Sequence, residues 1–307
     1  MQVSPLSKEE NHPILQLLML AFAAVVGMLI FVVIAAVIIY FGYGLDALKS
    51  SVGLIKVTQA NMAGLKILLV AQQLGLFLTP AIVLSILEGR KPQRFYGMKA
   101  PKINLLLIVF LIMLCAMPML ALVNELNQQM VLPDFLKGLE NWMKMLEEEG
   151  AKTTKEILKM TTIGGFLVNL LIIAIIPAIC EEFIFRGALQ RTLLRWFKNP
   201  HVAIWVAAVI FSAIHFQFYG FFPRLFLGAA FGYIYWWTGS IWYTIFAHFV
   251  NNGYAVAIAW YLQQNNRPLD QEAGPEIAWY GYLISAILTI ALFRFLSDQS
   301  KQKQIDQ

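Results

Sequence analysis

Eight apolar runs constrain this chain more than any other feature. They lie at about 14–43, 67–87, 103–123, 165–194, 202–218, 223–237, 241–261 and 277–295. Roughly 20 consecutive apolar residues cross a bilayer as a helix, and most of these runs are long enough. The fifth and sixth are short, and the fourth is long and interrupted. Composition agrees: 59% of residues are hydrophobic and 13% charged, against about half and a quarter in soluble domains. A disordered chain, a charged soluble nucleic-acid binder and an ordinary cytosolic enzyme are excluded. The expected fold is all-α, a polytopic membrane protein with about eight transmembrane helices. The first run is too long for a signal-peptide core and lacks a preceding basic stretch, so it reads as a retained helix. Two cysteines, Cys115 and Cys180, are too few for a disulfide framework or a four-cysteine metal site.

Loop charge orients the spans. The connection after the second run carries Arg90, Lys91, Arg94, Lys99 and Lys102 against Glu88, and the one after the fourth holds Arg186, Arg191, Arg195 and Lys198. Basic short loops stay on the cytoplasmic side, which puts both termini inside. The net charge of +5 reads as this asymmetry, not as a nucleic-acid footprint, and no nucleic-acid partner is expected. The chain divides into N-terminal spans (1–123), an extramembrane loop (124–162), a second membrane domain (163–297) and a polar tail (298–307). Within the loop, Phe135, Leu139, Trp142, Met143 and Leu146 recur at helical spacing, as in an amphipathic helix lying on a membrane or on the protein's outer face.

Polar residues inside apolar runs point to function, because a charge at mid-bilayer costs roughly 2.5–3.5 kcal/mol. Glu181 and Glu182 stand together within the fourth run, and Phe183 to Leu194 still reads as helix beyond them. Glu182 and Arg186 are four apart and share a helix face. Glu181 is turned about 100° away, so Glu182 reads as the paired acid and Glu181 as the free, reactive one. Pro177, one turn earlier, removes a helix hydrogen bond and predicts a kink. His215 lies late in the fifth run. His248 and Asn252 share a face in the seventh. His12 and His201, at run ends, receive no role. A buried carboxylate can serve as general base and then acid. A histidine can share its proton or bind a metal, and an asparagine N–H can stabilise an oxyanion. Hydrolysis of a peptide inside a membrane needs this set. Other solutions are absent: there is no His-Glu-x-x-His, no aspartate in any run, and Gly239-Ser240 is followed by isoleucine.

Glu-Glu-x-x-x-Arg (Glu181, Glu182, Arg186), Phe-x-x-x-His (Phe211, His215) and His-x-x-x-Asn (His248, Asn252), in this order on three separate apolar helices, resemble the CAAX-protease and bacteriocin-processing family of intramembrane endopeptidases. The resemblance covers about 164–254. It implies an eight-span fold with the site in a cavity between spans. It also implies that Glu181 activates water with His215 assisting, that His248 and Asn252 stabilise the oxyanion, and that Glu182, Arg186 and Phe211 support the site. The substrate would be a membrane-embedded or lipid-anchored peptide or protein; separately, compact loops without organelle signals point to a bacterial inner membrane as the expected setting. The cofactor stays open. A divalent metal such as zinc would use His215, His248 and Glu181, whereas a metal-free site suits the scarcity of ligands and the His-x-x-x-Asn pair.

Two further readings stand beside this one. A proton-coupled transporter could use the same diacid, arginine and histidines as a relay, although the sequence has one proline-interrupted site and no similar halves. A non-catalytic immunity or scaffold protein could retain the fold. The topology is directly testable. With single cysteines at Gln93 and Lys144 in a cysteine-free background, an impermeant thiol reagent on intact cells should label position 144 and spare 93; the reverse pattern inverts the orientation.

Overall fold

The computed structural model describes residues 10–54, 61–269 and 277–305. The described residues form helices and no strand. They are α1 (Pro13–Ser51), α2 (Met62–Leu87), α3 (Ile103–Gln128), α4 (Lys137–Ile157), α5 (Ile163–Phe197), α6 (Pro200–Ala213), α7 (Phe221–Thr238), α8 (Ile241–Gln264) and α9 (Trp279–Ile305). A one-turn helix, Pro92–Phe95, interrupts the α2–α3 loop. All eight apolar runs are helical over most of their length.

Five helices are long and apolar enough to cross a membrane: α1, α2, α3, α5 and α9. The protein is an all-α integral membrane protein. Helix α6 is apolar but has 14 residues. Helices α7 and α8 have the length, with hydropathy diluted by tryptophan, tyrosine and the polar residues His248, Asn251 and Asn252. Ile14, Leu18, Phe22 and Leu29 of α1 are exposed, as expected of a helix whose outer stripe faces lipid rather than protein.

Small residues set a close crossing of α1 and α2. A Cβ on Gly75 of α2 would come within 2.6 Å of the Gly27 carbonyl oxygen, and one on Gly27 within 2.4 Å of that of Gly75. Only glycines permit this approach of two backbones, the usual way membrane helices gain contact when no hydrophobic force drives them together. The contact fixes the middle of α2, where residues Gln73–Leu78 form a π-helical segment.

Helix α4 is the amphipathic helix expected in the loop. Phe135, Leu139 and Trp142 are exposed. Glu140 is buried despite its charge. Its carboxylate meets Lys144 at 2.7 Å and Lys137 at 3.3 Å and accepts from the Leu132 N–H at 3.1 Å. The Glu147 carboxylate accepts from the Tyr219 N–H at 3.0 Å, tying α4 to the loop between α6 and α7.

At the opposite end, two acids staple the start of α1 to the ends of α2 and α5. Glu88 accepts from the Asn11 N–H at 3.0 Å, the Asn11 side chain at 3.1 Å and the Gln16 side chain at 2.9 Å. Glu10 meets Arg191 at 2.5 Å, Arg195 at 3.2 Å and Arg90 at 3.4 Å. Burial alone would push the Glu10 carboxyl up. The Arg191 hydrogen bond and the charges of Arg191, Arg195 and Arg90 outweigh it and hold the group below the ordinary carboxylate range. A depressed acid contributes stability that is present above its unfolded pKa and is lost as pH falls through the folded value. Glu10→Gln should therefore lower the thermal unfolding midpoint in detergent at pH 7, by an amount equivalent to about 1 kcal/mol for so partly exposed a network. The difference from wild type should shrink as pH falls below the ordinary glutamate value of 4.5. A difference that is constant from pH 7 to pH 3 would contradict the assignment.

Candidate active site

The site is built on irregularities in α5. Residues Leu170–Ile175 form one π segment and Phe183–Gln190 another, with Ile176–Glu182 α-helical between them. Pro177 has no N–H to donate to the Ile173 carbonyl four residues back. Asn252 of α8 supplies a replacement, its Nδ2 donating to the Ile173 oxygen at 3.1 Å. Pro177 thus sits at the start of the α-helical stretch, directly after a π segment, and the carbonyl it leaves without an α-helical donor is bonded from α8.

Glu182 is fully buried. Its Oε1 accepts from the Arg186 guanidinium at 2.8 Å and lies 2.8 Å from His248 Nδ1. Its Oε2 is sealed from solvent with no partner among the described residues. Arg186 is 2% exposed and also donates to the Gly228 carbonyl of α7 at 3.0 Å. The guanidinium lies 4.7 Å from the Phe211 ring centre and 5.2 Å from that of Phe231, close enough for cation–π attraction. The same two rings flank His248, Phe231 stacked at 5.3 Å and Phe211 edge-on at 6.1 Å. Helices α5, α6, α7 and α8 thus meet around one ion pair. The i,i+4 pairing of Glu182 with Arg186 is as the sequence predicted, and His248 joins it.

Glu181 faces a different side and is buried. It has no partner on its own helix, as expected, but it is not free. Gln73, first residue of the π segment in α2, donates from Nε2 to Glu181 Oε1 at 3.0 Å. The other carboxylate oxygen lies 3.9 Å from His248 Nε2. Sequence reasoning missed Gln73 because it searched for ionisable residues. The available signal was the amide pair Gln72-Gln73 within an apolar run.

His215 sits elsewhere than expected. Helix α6 ends at Ala213, so His215 lies on the turn beyond it rather than within a span. Phe216 adopts a left-handed φ of 52°, which terminates the helix without a glycine. The turn is stitched down: Ser212 donates to the Phe221 carbonyl at 2.6 Å, and Arg224 to the Gln217 carbonyl at 2.7 Å. His215 Nδ1 lies 2.8 Å from the Phe211 carbonyl, which makes Nδ1 the protonated nitrogen and leaves Nε2 unengaged. Its ring packs edge-on against Phe211 at 5.2 Å, the ring that also touches His248. Asn252 is anchored at both ends, by Ile173 and by Asn251, which donates to its Oδ1 at 3.1 Å. One N–H of its amide is left over.

A metal fits these residues poorly. Glu181 Oε2 and His248 Nε2 offer two donors 3.9 Å apart. A catalytic zinc takes three protein ligands, and among the described residues no group of three His, Cys, Asp or Glu is disposed to hold a metal ion.

The buried pair has a stability consequence. Removing one partner strands the other charge and costs about 3–5 kcal/mol. Arg186→Ala should therefore lower folded yield and thermal stability as well as activity. A variant as stable as wild type yet inactive would make the arginine a direct participant instead.

A comparison with known protein families falls on this region. Residues 163–254 match the family model described as type II CAAX prenyl endopeptidase Rce1-like. The uncharacterized protein YpbD of Bacillus subtilis (strain 168) is 29% identical over 86 residues, which is 27% of this chain. The match spans 41% of YpbD's own length, well short of the whole relative. No solved structure matches. The matched segment contains Glu181, Glu182, Arg186, Phe211, His215, His248 and Asn252, so the family match and the three motifs fall on the same residues.

Proposed function

We propose that this chain is an intramembrane endopeptidase that hydrolyses a peptide bond of a membrane-embedded or lipid-anchored substrate with a glutamate-activated water. The observation that carries the reading is the placement of two adjacent carboxylates in different roles. Glu182 is locked by Arg186 and His248, while Glu181 keeps one oxygen beside His248 Nε2 and without a hydrogen-bonding hydrogen on it.

In this reading Glu181 Oε2 takes a proton from water as the water oxygen attacks the substrate carbonyl carbon. The carbonyl oxygen becomes an oxyanion. The remaining Asn252 N–H and His248 Nε2, donating when the ring is an imidazolium, stabilise that charge. Glu181 then returns the proton to the leaving nitrogen as the carbon–nitrogen bond breaks, so the carboxylate is regenerated. Glu182 orients the His248 ring through Nδ1 and Arg186 balances its charge. His215, with Nε2 unengaged, assists the proton transfers. The basic loop around Arg90–Lys102 supports cytoplasmic termini, and the Bacillus relative supports a bacterial plasma membrane.

The test is incubation of purified protein in detergent with a library of quenched fluorescent lipopeptides. Wild type should cleave members of it. Glu181→Gln keeps the shape and should remain folded while losing about 10²–10⁴-fold in rate. His248→Ala and Asn252→Ala should each lose about 10²–10³-fold. Full activity in Glu181→Gln contradicts the mechanism. So does chelation that silences wild type reversibly while removing stoichiometric zinc.

A further inference from the structure

Gln73 lies in α2, far from 163–254 in sequence and outside every motif, yet it donates a side-chain hydrogen bond to Glu181 on the oxygen that His248 does not face. Its position is held by the fold. It opens the π segment Gln73–Leu78, and such segments, frequent at functional sites, re-aim the side chains of a helix locally. Two residues on, Gly75 packs directly on the Gly27 backbone of α1. The Thr79 hydroxyl donates to the Leu74 carbonyl at 2.8 Å, satisfying an oxygen within the irregular turn. Gln73 therefore cannot drift without moving α1 and α2 together.

The chemistry of the amide is asymmetric. Against an ionised carboxylate the NH2 end must face Glu181, because two acceptors would repel. The amide oxygen is then turned away from it. That oxygen is sealed from solvent and has no donor among the described residues. Buried carbonyl oxygens are nearly always satisfied, so this one is an acceptor waiting for an O–H or N–H that enters the site.

We propose that Gln73 is a positioning residue for Glu181. It pins Oε1 so that Oε2 is the oxygen that takes the proton from water, and its own oxygen accepts the second O–H of that water. The proposal rests on the reading of Glu181 as the base. The proton balance is unchanged: one proton passes from water to Oε2 and later to the leaving nitrogen, and Gln73 exchanges none.

The experiment compares wild type, Gln73→Met and Gln73→Asn as full-length protein in detergent. Methionine keeps length without hydrogen bonding; asparagine keeps the amide but withdraws it by one methylene. The first readout needs no substrate. Dicyclohexylcarbodiimide, an apolar reagent that takes the protonated form of buried carboxyls, is added, and modification of Glu181 is followed by mass spectrometry. Both variants should label Glu181 severalfold faster, because the amide that covers Oε1 is gone. The second readout is turnover of the library lipopeptide that wild type cleaves fastest. Losing one hydrogen bond to a charged group should lower kcat about 10- to 100-fold with KM unchanged. Wild-type labelling rates and wild-type kcat in folded Gln73→Met or Gln73→Asn would overturn the proposal. If Glu181→Gln is dead while the Gln73 variants behave as wild type, only the Gln73 proposal falls. If Glu181→Gln keeps full turnover, the base assignment falls first, and the labelling still reports whether Gln73 controls that carboxyl.

Discussion

The arrangement of α5 to α8 depends on keeping one carboxylate, that of Glu182, out of contact with both lipid and water. An isolated ion in an apolar interior is prohibitively costly, and attraction to a partner offsets the desolvation only with good geometry and further hydrogen bonds. Arg186 one turn away neutralises the charge at 2.8 Å. Arg186 in turn needs its own remaining donors and faces filled, which recruits the Gly228 carbonyl and the rings of Phe211 and Phe231. His248 completes the set from α8. Four helices are thereby fixed relative to one another by the requirements of a single buried ion pair. The neighbouring Glu181 inherits a defined position without being consumed by it.

Backbone irregularity does the rest. In hydrocarbon an unpaired carbonyl has no water to turn to, so a proline in a span is tolerated only where something else supplies the donor. Pro177 leaves the Ile173 carbonyl without its usual partner, and Asn252 provides one. The residue that reads from sequence as an oxyanion donor therefore also has a structural bond to keep. Its amide can hold both positions only because the two N–H groups point in different directions. The π segments in α2 and α5 lie beside this contact: Gln73 opens one, the other begins directly after Glu182, and α2 is itself held against α1 at Gly27 and Gly75.

Much of this is legible in the sequence where the cause is local. Apolar runs of the right length give the all-α membrane fold. The four-residue spacing of Glu182 and Arg186 gives their pairing, and the different helical angle of Glu181 gives its separation from that pair. The amphipathic spacing after 134 gives α4. What is not legible comes from contacts between distant segments or from single backbone angles. Gln73 reaches Glu181 across 108 positions of chain, and an uncharged amide carries no periodic signal of such a role. His215 lies past its helix because Phe216 turns left-handed, and no glycine announces that stop. Glu140 is buried because its lysine neighbours on the same helix fold over it, a choice that hydrophobic periodicity does not encode.

The central claim is a division of labour: Glu182 holds His248, and Glu181 with His248 and Asn252 surrounds the reacting carbonyl. A structure with a bound peptide phosphonate, whose tetrahedral phosphorus stands for the attacked carbon, tests it most directly. The account predicts one phosphonyl oxygen within hydrogen-bond distance of His248 Nε2 and the Asn252 amide, the other against Glu181, and His248 Nδ1 still on Glu182. A phosphonate oxygen held by a metal ion between His215 and His248, or lying out of reach of Glu181, would contradict it.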